Sequence, residues 1–177
     1  MANRSHLYAV NTLPTDEGRP DAVVGISEHN WSIPLAHLLL VSFDTRVVPS
    51  MIWERRTGVA GDYERGAALL MDLLRVVGEE VQEAQDFESV VATTKAQLDK
   101  QRAKYFLLEA GEILGLEDEP VEAAMDRLVG QHIPDLAAHA EAAIAGENAD
   151  WLAVARGRWR ENFYSFYNDT LYYSFDS

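Results

Sequence analysis

The chain has no cysteine among its 177 residues, so disulfides, thiolate zinc sites and cysteine nucleophiles are excluded together. It also lacks a long apolar run: the longest, Leu35 to Val41, is interrupted by His37 and falls far short of the ~20 residues a membrane helix needs. Asn3, Arg4, Ser5 and His6 stand where a signal peptide would carry its apolar stretch, so the expected location is the cytoplasm. Metal-binding spacings are missing too. No His-Glu-x-x-His, no Glu-x-x-His and no aspartates two apart occur, which removes the zinc-protease, di-iron and calcium-loop patterns. His132 and His139 are seven apart, about 10 Å along one helix, too far to share a metal. No cofactor is expected.

Positive charge is scarce where negative charge is dense. Residues 61–150 hold 20 acids and 7 bases, whereas residues 1–60 hold 6 and 5, and residues 151–177 hold 3 and 3. Nearly all of the net charge of -14 therefore belongs to the middle of the chain. Such a surface repels nucleic acid and anionic lipid and attracts basic proteins. A hydrophobic share of 47% argues for a folded core despite the acidity. The length fits a single domain over 1–177, divided into a near-neutral part (1–60), an acidic body (61–150) and an aromatic end (151–177).

Along the chain, residues 5–10 and 22–26 are short and β-prone, separated by a loop with Gly18 and Pro20. Ser32 and Pro34 resemble a helix entry, with the serine as cap, and Val47 to Trp53 reads as extended. From Asp62 the period becomes helical: Leu70, Leu74, Val77 and Val81 form one stripe. Phe87, Val91, Thr94, Leu98, Tyr105 and Leu108 predict a second long helix ended by Gly115. Two further helices are expected, from Pro120 to about Val129 and from Pro134 to about Ala145, with Gly146 closing the latter. The last 27 residues hold 9 of the 17 aromatics. Leu152, Ala155, Trp159, Phe163 and Phe166 keep helical spacing, and Leu171, Tyr173 and Phe175 alternate like a strand that would pair with residues 5–10. The expected fold is α+β, mainly α: a four- to five-helix body with a small sheet from N-terminal strands and the C-terminal one.

Chemistry-bearing patterns are few. Gly25-Ile26-Ser27-Glu28-His29 begins like a nucleophile elbow, yet His29 stands where that turn needs glycine. A small hydrolase or transferase using Ser27, His29 and a carboxylate is the alternative reading. Gly58 to Gly61 before a helix would suit an anion, but Asp62 repels one there. Asp135 lies four before His139, the spacing of a surface pair. Glu79, Glu80, Glu83, Asp86 and Glu88 are the densest acidic cluster, and Glu79 and Glu83 share a helix face without an offsetting lysine. Tyr164, Tyr167 and Tyr172 lie off the apolar stripes, and tyrosine is enriched at interfaces. Arg156, Arg158 and Arg160 sit nearby, available to the acidic helices or to a partner. These carboxylates and tyrosines are the expected partner-binding residues.

The opening Met1-Ala2-Asn3-Arg4-Ser5-His6-Leu7-Tyr8, the Trp31-Ser32-Ile33-Pro34-Leu35 segment and the closing Leu171-Tyr172-Tyr173-Ser174-Phe175 together resemble a family of bacterial proteins of unknown function. Its members open Met-Ala-Asn-Arg, then Ser or Ala, Tyr, Leu, Tyr; His6 replaces that tyrosine. The resemblance implies a bacterial cytosolic protein whose two ends belong together, and it assigns no activity and no residue role. The charge pattern points to a non-enzymatic protein that binds a basic protein, as an immunity protein neutralises a cationic toxin. A scaffold whose charge serves solubility is the bland reading.

Overall fold

A computed structural model of the chain describes residues 3–164, 166–167 and 171–174, with side chains through residue 164. The architecture is α+β: an antiparallel sheet with helices on one face. Its strands are β1 (Arg4–Val10), β2 (Ala22–Asn30), β3 (Arg46–Val48), β4 (Gly58–Asp62) and β5 (Tyr105–Glu109), in the order β3-β4-β5-β1-β2. The helices are α1 (Leu35–Leu40), α2 (Tyr63–Gly78), α3 (Ala84–Lys100), the short α4 (Gly111–Leu114), α5 (Val121–Arg127), α6 (Ile133–Ile144), α7 (Ala149–Gly157) and α8 (Trp159–Phe163).

β5 is the main departure from the sequence reading, which carried a helix through Tyr105 and Leu108. α3 ends at Lys100, and Tyr105–Glu109 instead pairs with β1 on one side (Tyr8 opposite Leu107) and β4 on the other (Ala60 opposite Leu107). Its apolar run shows no alternation because both faces are buried: Phe106 and Leu108 join the larger core under the helices, and Leu107 joins a smaller core on the opposite face. A short apolar run of this kind carries no period that separates strand from helix.

The expected partner of a C-terminal strand is unavailable for the same reason. β1 is bonded on both edges, to β2 and β5. The C-terminal end therefore cannot join β1. Of that end, short backbone stretches at Phe166–Tyr167 and Leu171–Ser174 run along the outer edge of β2, and the expected residue Phe175 lies outside the described residues. The helical body is also more divided than the expected four or five helices, and the sheet is larger.

Local causes are clear for α2. Asp62 caps it, its carboxylate accepting from the Arg65 amide at 2.8 Å, and Leu69, Leu70, Leu73, Leu74, Val76 and Val77 bury one stripe. Tyr63 stacks on Phe106 with centroids 4.0 Å apart and donates its hydroxyl to the Leu98 carbonyl at 2.7 Å, tying α2, β5 and α3 together. α1 differs from expectation at its start: its N-cap is Pro34 without a side-chain cap, and the Ser32 hydroxyl lies 3.2 Å from His29 Nδ1 instead. Gly58 and Gly61 belong to β4, not to an anion loop. α5 and α6 form one continuous rod, joined by a π turn at Leu128–His132. Pro134 cannot donate to the carbonyl four residues back, and the wider turn carries the helix past it without a break.

The end of α1 crosses the β4–α2 junction at backbone distance. A Cβ on Gly66 would fall 2.0 Å from the Leu40 carbonyl oxygen, and one on Gly61 2.5 Å from Val41 Cα. Gly66→Ala is therefore expected to lower stability by about 1–3 kcal/mol. Gly130→Ala, whose Cβ would meet nothing within 4 Å, is expected to stay within about 0.5 kcal/mol of wild type. Urea midpoints compare them directly.

Candidate functional site

The acidic cluster lies at the turn between α2 and α3, and it faces the arginines of α7 and α8. The two sides line a groove of about 630 Å³. Arg156 is the most enclosed of them, its side chain only 17% exposed. Its guanidinium donates to the carbonyls of Val77 (2.9 Å) and Val76 (2.8 Å) and stands 3.6 Å from Glu80. A cation thus closes the negative end of the α2 dipole and satisfies two of its terminal carbonyls. Arg160 lies over the Trp159 ring at 4.4 Å and donates to Glu83 (2.8 Å) and Asp86 (2.9 Å). The hydrogen bond it donates to Glu83, then that to Asp86, hold its pKa above the ordinary arginine value. Glu79 is 3.6 Å from Arg75 on its own helix, and Arg158 pairs with Glu161.

Four of the five expected docking carboxylates are therefore already bridged to arginines of the same chain. Glu88 is exposed. Tyr164 is 47% exposed at the end of α8, and the side chains of Tyr167 and Tyr172 lie outside the described residues. A second acidic surface lies on the α5–α6 rod. Residues 117–150 carry nine acids and one base, Arg127, and that arginine is taken by Glu117 and Glu119. Glu122, Asp126, Asp135, Glu141, Glu147 and Asp150 of this rod and its exit are all exposed. His139 does not pair with Asp135. Its Nδ1 lies 2.7 Å from Asn148 Nδ2 and its ring stacks on Trp151 at 5.7 Å.

Ser27 and His29 do not meet. Ser27 sits on β2 with 2% exposure, its hydroxyl 2.7 Å from Nε2 of His37 on α1. Ser5 Oγ on β1 is 3.4 Å from Nδ1 of the same ring. Among the described residues no carboxylate is hydrogen-bonded to that imidazole, so no third member of a catalytic triad stands beside it, and the Ser27 hydroxyl is buried. His37 was visible in the sequence only as the one polar residue in the run from Leu35 to Val41. Among the described residues no group of three His, Asp or Glu side chains is placed to hold a metal ion, and no helix is long and apolar enough to cross a membrane.

Residues 11–149 match a domain of unknown function, DUF7822. The chain belongs to that family. The DUF7822 span takes in the sheet from β2 to β5, α1 to α6 and the acidic rod, and of the three segments that carry the sequence resemblance it contains only Trp31–Leu35. No curated protein and no solved structure matches the chain.

Arg156 and Arg160 are expected to behave differently. Arg156→Ala removes two charge-assisted bonds to the end of α2 and should cost about 1–3 kcal/mol in urea unfolding. Arg160→Ala removes exposed ion pairs and the contact over the Trp159 ring and should cost at most about 1 kcal/mol, the ion-pair share of it vanishing at high salt.

Proposed function

We propose that this protein is a non-enzymatic, cytoplasmic binding protein that engages a basic protein partner through its acidic helical surface, in the manner of an immunity protein that occludes a cationic toxin. The observation that carries the reading is the exposed run of six acids on the α5–α6 rod and its exit, beside a single arginine, Arg127, that Glu117 and Glu119 already hold. Fixed charge of one sign on a folded surface accelerates capture of an opposite partner by about 10- to 1,000-fold at low salt. Glu79, Glu80, Glu83, Asp86 and Glu88 form a second part of the docking surface, and Tyr164, Tyr167 and Tyr172 are assigned to it as the aromatic partner-binding residues. Because Arg75, Arg156 and Arg160 already bridge four of those five acids, the rod supplies more of the free charge. The enzyme alternative built on Ser27 and His29 has no accessible nucleophile in its favour.

Capture from native-host lysate tests this at low and high salt. Reversing Glu122, Asp126, Glu141 and Asp150 to lysine is expected to abolish low-salt capture of cationic proteins while the circular dichroism spectrum stays that of wild type, because exposed charges contribute little to stability and much to encounter. The same reversal of Glu79, Glu80, Glu83, Asp86 and Glu88 should have a smaller effect. Equal capture by wild type and both variants at both salt concentrations would remove the docking reading.

A further inference from the structure

The buried polar cluster around His37 has a property that the docking reading does not use. The Ser5 hydroxyl donates its one hydrogen to the Ser32 carbonyl at 3.0 Å, so towards His37 Nδ1 it can only accept. That assigns the ring hydrogen to Nδ1 and leaves Nε2 to accept from Ser27, at 2.7 Å. The neutral imidazole is thereby fully used. A second ring proton would face the Ser27 hydroxyl, forcing it to turn and lose its donation, and it would place a charge in a site that is 1% exposed.

The surroundings offer no compensation. Burial opposes protonation of the ring most, and the charges that act on it, His29 on β2 and His6 on β1, oppose it too. Glu28 serves Arg4 at 3.0 Å and lies 3.7 Å from His6. The helices packed on α1, namely α2, α6 and α8, bring no charge to bear on the ring. His37 is accordingly held down to about 3, from an ordinary 6.5. The corner above it is strained: Trp31, between β2 and α1, has φ 66° and is 61% exposed, a left-handed conformation that costs a bulky residue of order 1–3 kcal/mol.

We propose that the Ser5–His37–Ser27 cluster is an acid-sensitive latch, and that uptake of a proton by His37 opens the corner between β2 and α1. The direction follows from linkage. The closed state keeps the ring neutral and the open state lets it protonate at its ordinary value, so the latch is fully held above about pH 6.5 and loosens progressively as pH falls below it. One proton taken up on opening raises the opening equilibrium up to tenfold per pH unit, or about 30-fold between pH 7.5 and 5.

Hydrogen exchange of the Leu38 to Val41 amides, corrected for intrinsic rates, measures this in the full chain. Wild type should show the 30-fold rise, and His37→Asn, which keeps an N–H for Ser5 but cannot titrate, should show none. An opening equilibrium that does not change with pH in wild type, or the same rise in H37N, overturns the latch. Should H37N fail to fold, NMR of the wild-type imidazoles decides. A His37 ring still neutral at pH 5 in the closed form supports the latch; a ring that titrates near 6.5 with the α1 amides still protected overturns it.

Discussion

Strand β5 is the constraint on which the rest of the structure depends. The N-terminal hairpin of β1 and β2 and the later pair of β3 and β4 share no ladder of their own; β5 bonds to β1 along one edge and β4 along the other. A five-residue segment therefore joins two separate pieces of sheet into one surface broad enough to carry α1, α2 and α6. It also fixes α3, since Tyr63 stacks on Phe106 while its hydroxyl reaches the last turn of that helix. Burial on both faces is what makes this possible. Each of Phe106, Leu107 and Leu108 is fully buried, and each such side chain contributes about 1.5–3 kcal/mol relative to exposure.

Charge is managed differently at the two acidic regions. At the α2–α3 turn, the repulsion expected between crowded carboxylates is relieved within the molecule, because Arg156 and Arg160 arrive from the other end of the chain and one of them also closes the α2 dipole. Among the described residues no comparable set of bases faces the α5–α6 rod, and its acids meet solvent. A dense acidic stretch is thus partly a staple and partly a free surface, and only the free part is available to a partner.

Much of this was legible in the residues. The α2 stripe through Leu70, Leu74 and Val77, the helix entry at Asp62, a helix through Phe87 and Leu98, the Gly146 stop and the strands near residues 5–10 and 22–26 all follow from period and turn chemistry, which act locally. β5 did not follow, since Tyr105 and Leu108 happen to continue the spacing of the helix before them and only the non-local ladders to β1 and β4 decide the matter. The Ser27–His37 contact was equally hidden: it joins a strand to a helix ten residues on, and its sequence trace is one histidine in an apolar run. The acidic cluster was visible as composition, but its neutralisation by arginines more than seventy residues away was not.

The most direct test of this account is a nuclear Overhauser spectrum of the β5 backbone. Cross-strand contacts from Leu107 to Tyr8 and to Ala60, with no medium-range helical contacts across residues 103–110, are the expected result. Helical contacts three residues apart through Tyr105 and Leu108, without either cross-strand set, would contradict it.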